Sequence, residues 1–158
     1  MDIGFWGRIE GLRYQINHSR DPNGHSLLQR FEAWKTGLEI YKDHYFLGTG
    51  TGDVDDAFKE KYRENKSKLN SVNQIRAHNM YLTSLLTFGP IGLLLFLYLI
   101  GAYLKMQLQS KQLIGFIFMT VMVITFLFED TLETQTGITL FSFFAALYSI
   151  PIPSSSND

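Results

Sequence analysis

"LTSLLTFGPIGLLLFLYLIGAYL", residues 82 to 104, runs for 23 positions without a charged side chain. A helix rises about 1.5 Å per residue, so a run of this length covers the roughly 30 Å hydrocarbon core of a bilayer. A buried helix of a soluble protein would show a polar face at helical period, and this run shows almost none. The stretch therefore reads as a membrane span, and the rest of the chain is interpreted outward from it.

Downstream, only "KMQLQSK" (105–111) and Gln112 separate this span from a second apolar run, Leu113 to Phe128, with 16 uncharged residues. A third run, Ile138 to Ile150, reaches spanning length by drawing on the polar "TLETQTG" before it and on Pro151–Pro153 after it. Three spans are expected, at 80–104, 112–128 and 132–150. Upstream the composition inverts: 12 of the 14 Lys and Arg and 11 of the 15 Asp and Glu precede Asn79. The net charge of -1 gives no field that would recruit nucleic acid, and the absence of cysteine excludes disulfides and Cys-based metal sites.

Basic residues set the orientation. The loop between the first two spans carries Lys105 and Lys111 and no acid, which assigns it to the cytoplasm. Residues 1–79 and the "EDTLETQTG" loop are then external, and residues 151–158 form a short cytoplasmic tail. The start, "MDIGFWGRIEGLR", has neither the basic opening nor the apolar core of a signal peptide. Export of the first half is thus expected to depend on earlier spans, with this chain as the C-terminal portion of a larger multi-span protein. The expected fold class is all-α: polytopic membrane helices with an external helical loop region.

Within residues 1–79, "DPNG" (21–24) signals a turn, and Ser26 with Gln29 forms a capping-box pattern at the start of a helix. Leu27, Phe31, Trp34, Leu38 and Tyr41 recur at helical spacing as one apolar stripe. Arg30 lies one turn before Trp34, within reach of stacking on the indole. A second helix follows "FLGTGTGD", with Asp53 as its cap and Asp55 and Lys59 as a surface pair. "GTGTG" (48–52) has the look of a phosphate-binding loop, but no β-branched strand precedes it and no Lys follows it. "DVD" (53–55) serves as a helix cap with first-turn acids rather than as a metal pair. His18, His25, His44 and His78 have no zinc-type spacing, so no metal and no cofactor are expected.

His78 stands out by its address, just outside the first turn of a span, where a lipid-linked substrate presents its head group. His78 and Asn79, nine residues, Gly89, two residues and Gly92 resemble the His-Asn/Ser/Gln, nine-residue, Gly-x-x-Gly signature of the O-antigen ligase family, whose superfamily includes O-antigen polymerases and protein O-oligosaccharyltransferases. Upstream, Arg30 and Trp34 in "QRFEAW" and the following "GTGTGD" are similar to that family's Arg-x-x-x-Trp helix and glycine loop. Downstream, "FEDTLETQTGITLF" resembles the lead-in to its last span. The likeness covers roughly residues 22 to 150.

The resemblance implies a helical protein of the bacterial inner membrane with a large periplasmic loop before its last spans. It implies a glycosyltransferase that moves glycan from an undecaprenyl-pyrophosphate carrier to an acceptor hydroxyl, on lipopolysaccharide core or a growing glycan, without a nucleotide sugar or a required metal. The expected partners are the lipid-linked donor, the acceptor, membrane lipid and the earlier spans. Guanidinium groups suit a departing pyrophosphate because they stay charged and meet its oxygens with paired donors. Arg30 is the first candidate for this task, by its match to the Arg-Trp helix, and Arg76 is the second, by proximity to His78. Imidazole as a group titrates near neutrality, which makes His78 the candidate general base. Asn79 is expected to cap the helix or orient His78, and Trp34 to contact substrate. Two other classes compete: a transport component for lipid-linked glycan, disfavoured by spans without charged residues, and a non-catalytic or partner-dependent fragment.

Overall fold

The computed structural model describes residues 22–150. The expected tail at 151–158 and the first 21 residues lie outside them. Among the described residues the chain is helical throughout, without strands. A 3-10 turn at Pro22–Gly24 leads into α1 (Ser26–Asp43), α2 (Val54–Glu64), α3 (Met80–Gln109), α4 (Leu113–Thr125) and α5 (Gln135–Leu147), with further 3-10 turns at Ser71–Asn73 and Thr131–Glu133.

Of these, α3 alone is long and apolar enough to cross a membrane; its 30 residues include a window of mean hydropathy 2.1. It is not one straight rod. Gly89 adopts φ 67° and ψ -167°, a region open essentially to glycine, and Pro90 follows it. The break makes two arms, Met80–Phe88 and Pro90–Gln109. In a continuous helix Tyr81 and Phe96 would stand more than about 20 Å apart. Their rings are 5.7 Å apart, so the first arm folds back toward the second. The second arm, about 20 residues long, retains the reach to cross the hydrocarbon core.

A helix broken in this way frees carbonyls at the end of its first arm. The 48–50 loop satisfies them: the Thr49 N–H donates to Leu86 O at 2.7 Å and the Gly50 N–H to Thr87 O at 3.1 Å. The amides that gave "GTGTG" its phosphate-loop look are thus spent on the helix break. Gly48, at φ 73°, lies so close that a Cβ there would sit 2.5 Å from Leu86 O.

α1 and α2 pack on the first arm of α3 through a core of Ile40, Val54, Phe58, Tyr62, Leu69, Ala77 and Leu86. The buried face of α1 is made of Ala33, Thr36, Gly37 and Ile40. This differs from the stripe expected at Leu27, Phe31, Trp34, Leu38 and Tyr41. Leu27, Phe31 and Leu38 point outward, and only Trp34 and Tyr41 lie partly against the core. Small residues win the inward face because they let two helix backbones approach closely. Ser26 and Gln29 form no capping box; the Gln29 carboxamide donates to Asn23 O instead.

The second arm of α3, with α4 and α5, builds a second core, rich in aromatics, around Ile100, Met119, Met122 and Phe126, joined by Met80 of the first arm. α4 and α5 have 13 residues each, about 20 Å of rise, against the longer spans expected at 112–128 and 132–150. Both begin or end at the polar loop 126–134, where the chain leaves helical geometry to meet the first arm: the Met80 N–H donates to Phe126 O at 2.8 Å and Tyr81 Oη to Val123 O at 2.9 Å. At the far end Gln107, 1 % exposed, donates to Tyr148 O at 3.0 Å and ties α3 to the end of α5.

Candidate functional site

Residues 74–79 connect the α1–α2 layer to α3 without regular structure, and each end of this segment is tied down. Tyr62 Oη donates to Ile75 O at 2.9 Å. The Trp34 indole N–H donates to Ala77 O at 2.7 Å, with Ala77 fully buried. His78 then takes φ 44°, an uncommon left-handed value for a residue with a side chain, of the kind that collects at functional sites when the surroundings enforce it.

Asn79 is the N-cap of α3. Its Oδ1 accepts from the Leu82 N–H at 3.0 Å, and its Nδ2 donates to Leu127 O at 3.1 Å. One carboxylate oxygen of Asp130 receives both the Asn79 backbone N–H, at 3.1 Å, and the Thr83 hydroxyl, at 2.7 Å. A carboxylate at a helix N-terminus satisfies unpaired amides and opposes the positive end of the helix dipole. The polar loop is in this way bolted to the start of α3 beside His78.

Two guanidinium groups and an imidazole converge on that loop. Arg30, from the second turn of α1, donates one guanidinium nitrogen to Phe128 O and another to Glu129 at 2.9 Å. The other oxygen of Glu129 lies 3.6 Å from His78 Nδ1. Arg76 pairs with Glu133, and its Nε lies 3.2 Å from Asp55 Oδ1. Burial works against the Arg76 charge, but the Glu133 hydrogen bond and the charges of Glu133, Asp55 and Asp130 outweigh it and hold the guanidinium more firmly protonated than usual. Asp55 therefore serves Arg76, while Lys59 turns to Asp56 at 2.8 Å instead of forming the expected Asp55 pair.

A cleft of about 330 Å³ opens among these groups, lined by Ile75, Arg76, His78, Glu129, Asp130, Glu133 and Thr134. Of the five residues singled out from sequence, Arg76 and His78 line the cleft, Arg30 reaches its wall through Glu129, and Asn79 anchors its floor. Trp34 does not line it; its ring packs edge-on against Phe31 at 5.7 Å and its N–H holds the backbone before His78. Sequence reasoning treats Glu129, Asp130 and Glu133 only as the acids of an external loop. The signal that could have drawn them in is their density, three carboxylates in five residues next to a span.

The arrangement has the parts for proton removal from a hydroxyl. A carboxylate facing Nδ1 favours the tautomer with the proton on that nitrogen and leaves Nε2 as the acceptor. A separation of 3.6 Å exceeds a hydrogen bond, a looseness common in sites without substrate. Arg30 keeps Glu129 in place from the opposite side.

A family model described as O-antigen ligase matches residues 4–97. The match takes in Arg30, Trp34, Arg76, His78, Asn79, Gly89 and Gly92 and stops before the acidic loop. No curated protein and no solved structure matches the chain.

Proposed function

Because the chain belongs to the O-antigen ligase family, whose members are membrane-associated and include glycosyltransferase-like ligases, we propose that it transfers glycan from an undecaprenyl-pyrophosphate carrier to an acceptor hydroxyl at the periplasmic face of the inner membrane. Residues 1–79 form the periplasmic region in this reading, the apolar helices pass the membrane, and residues 151–158 return to the cytoplasm. The acceptor is lipopolysaccharide core or a growing glycan.

The observation that carries the reading is the line Arg30, Glu129, His78 at the mouth of a cleft beside the membrane span. His78 Nε2 takes the proton of the acceptor hydroxyl as that oxygen attacks the anomeric carbon. The bond from that carbon to the pyrophosphate oxygen breaks, and the carrier leaves as the pyrophosphate anion. Arg76 and Arg30 supply positive charge near that anion, exchanging part of their contact with Glu133 and Glu129 for phosphate oxygens. The proton passes from His78 to solvent, or to the leaving group, before the next turnover.

The test is glycan transfer in a host lacking the gene, with His78→Ala and Arg30→Ala introduced separately and protein levels matched in the membrane fraction. The reading expects transfer to fall by about 10²–10⁴-fold for His78→Ala. Undiminished transfer in both variants would refute it.

A further inference from the structure

The apolar stripe read from the sequence of α1 is real, but the fold does not use it. At 100° per residue Leu27, Phe31 and Leu38 fall within about 40° of one another on the helix surface. They are 40 %, 52 % and 51 % exposed, opposite the face of Ala33, Thr36, Gly37 and Ile40 that packs inward. The loop that follows continues the pattern: Tyr45, Phe46 and Leu47 are 65 %, 65 % and 74 % exposed. A contiguous set of bare apolar side chains on a helix and its following loop marks an interaction surface.

We propose that this face of α1, with the Tyr45–Leu47 loop, rests in the acyl-chain region of the bilayer leaflet on the cleft side. Continuity with the span identifies the occupant. The loop meets α3 at its break, where Gly89 packs against the Phe46 carbonyl and the Gly48 amide. On either side of that break Phe88 and Ile91 are 53 % and 65 % exposed and open the bare apolar surface that runs on through Leu94 and Leu95 down the spanning arm. The exposed apolar residues of the loop that follows α1 thus join those of the spanning arm at the break. Lys35 and Lys42, both exposed, lie along one edge of the stripe with side chains long enough to carry their charges to the head groups.

The consequence concerns the cleft. α1 lies along the first arm of α3, with Gly37 against Leu82 and Leu86 and Trp34 holding Ala77, so a lipid-seated α1 keeps Arg30, His78 and Glu129 at the membrane surface. The fold-back of the first arm has the same effect, since it returns toward Phe96 instead of rising away from the bilayer.

The chain contains no cysteine, so single cysteines report without background. The full chain is reconstituted in phosphatidylethanolamine–phosphatidylglycerol vesicles with a nitroxide at Leu38→Cys or Phe46→Cys, and at Arg63→Cys on the outer side of α2 as the aqueous reference. Leu47→Cys replaces Phe46→Cys if that variant fails to insert. Collision rates with oxygen and with a water-soluble nickel chelate are compared. The expected result is severalfold less nickel-chelate collision, with a raised oxygen rate, at positions 38 and 46 than at 63. Nickel-chelate access equal to that at 63 overturns the proposal by placing the face in water. Shielding from both reagents overturns it by showing a protein cover. The inference rests on the membrane span and not on glycan transfer, so the same readout in His78→Ala separates its failure from failure of the catalytic reading.

Discussion

Glu129 faces His78 across 3.6 Å while its second oxygen holds Arg30 at 2.9 Å, so a single carboxylate joins a residue from α1 to one at the start of α3. This makes Glu129 a positioning residue for the imidazole. Glu129→Gln keeps the size and loses the charge, and kcat for glycan transfer is expected to fall by about 10-fold or more with little change in KM. Arg30 retains Phe128 O as a partner, so the folded layer survives. A rise in KM at constant kcat would assign Glu129 to substrate binding instead.

His78 holds a left-handed φ of 44°, which costs a side-chain-bearing residue on the order of 1 kcal/mol and costs glycine almost nothing. His78→Ala and His78→Gly should both abolish transfer. Thermal unfolding in detergent should nonetheless find His78→Gly the more stable of the two, by about 0.5–1 kcal/mol. Equal midpoints would show that the backbone at 78 relaxes once the imidazole is gone.

The glycines make a graded series. Gly48→Ala puts a Cβ against Leu86 O and Thr87 O at a φ of 73°, and Gly89→Ala strains the break itself. Each should cost about 1–3 kcal/mol and lower the unfolding midpoint. Gly101 lies in the second arm of α3, where an added methyl would meet nothing within 4 Å, so Gly101→Ala should be neutral or stabilising by up to about 1 kcal/mol. A loss at Gly101 as large as at Gly89 would mean that flexibility, and not φ, is what the glycines supply.

Lys61 bridges Asp43 at the end of α1 and Glu64 on α2. Its hydrogen bond holds the Asp43 carboxyl below the ordinary value of 3.8. A depressed carboxyl contributes stability that is fully present above its unfolded value and is lost as the pH falls through the lower folded one. Lys61→Met should therefore lose this contribution at neutral pH and show a flatter acid limb below about pH 4, where the wild type loses it by protonation. An unchanged acid limb would mean that the exposed pair contributes nothing measurable.

What can be read from residue order follows from what periodicity encodes. The run at 82–104 and the Asn79 cap are local, and each is visible in the sequence. The outward stripe of α1 is not, because an apolar face looks the same in sequence whether it meets protein or lipid, and a membrane protein has both as neighbours. Asp55 cannot be matched to Arg76 in this way, nor Glu129 to His78, because these pairs join residues 21 and 51 positions apart, the second of them across the bend at Gly89. The Gly-Pro pair announces that a bend exists. It does not announce that the 48–50 loop fills it.

Trp34 tests whether the α1–α2 layer acts on the chemistry through the backbone. Its indole N–H donates to the carbonyl of Ala77, one residue before His78, at 2.7 Å, and that carbonyl belongs to a fully buried residue. Trp34→Phe keeps most of the ring packing and removes the donor, which leaves the carbonyl unpaired at a cost of about 1–3 kcal/mol. The segment 74–79 then loses the tie just before His78, and the imidazole loses the fixed backbone that aims it past Glu129. Transfer should fall through kcat, while Trp34→His, whose ring can donate a similar bond, should recover part of it. If Trp34→Phe instead raises KM with kcat intact and Trp34→His gives no recovery, the indole contacts substrate and the backbone tie is incidental.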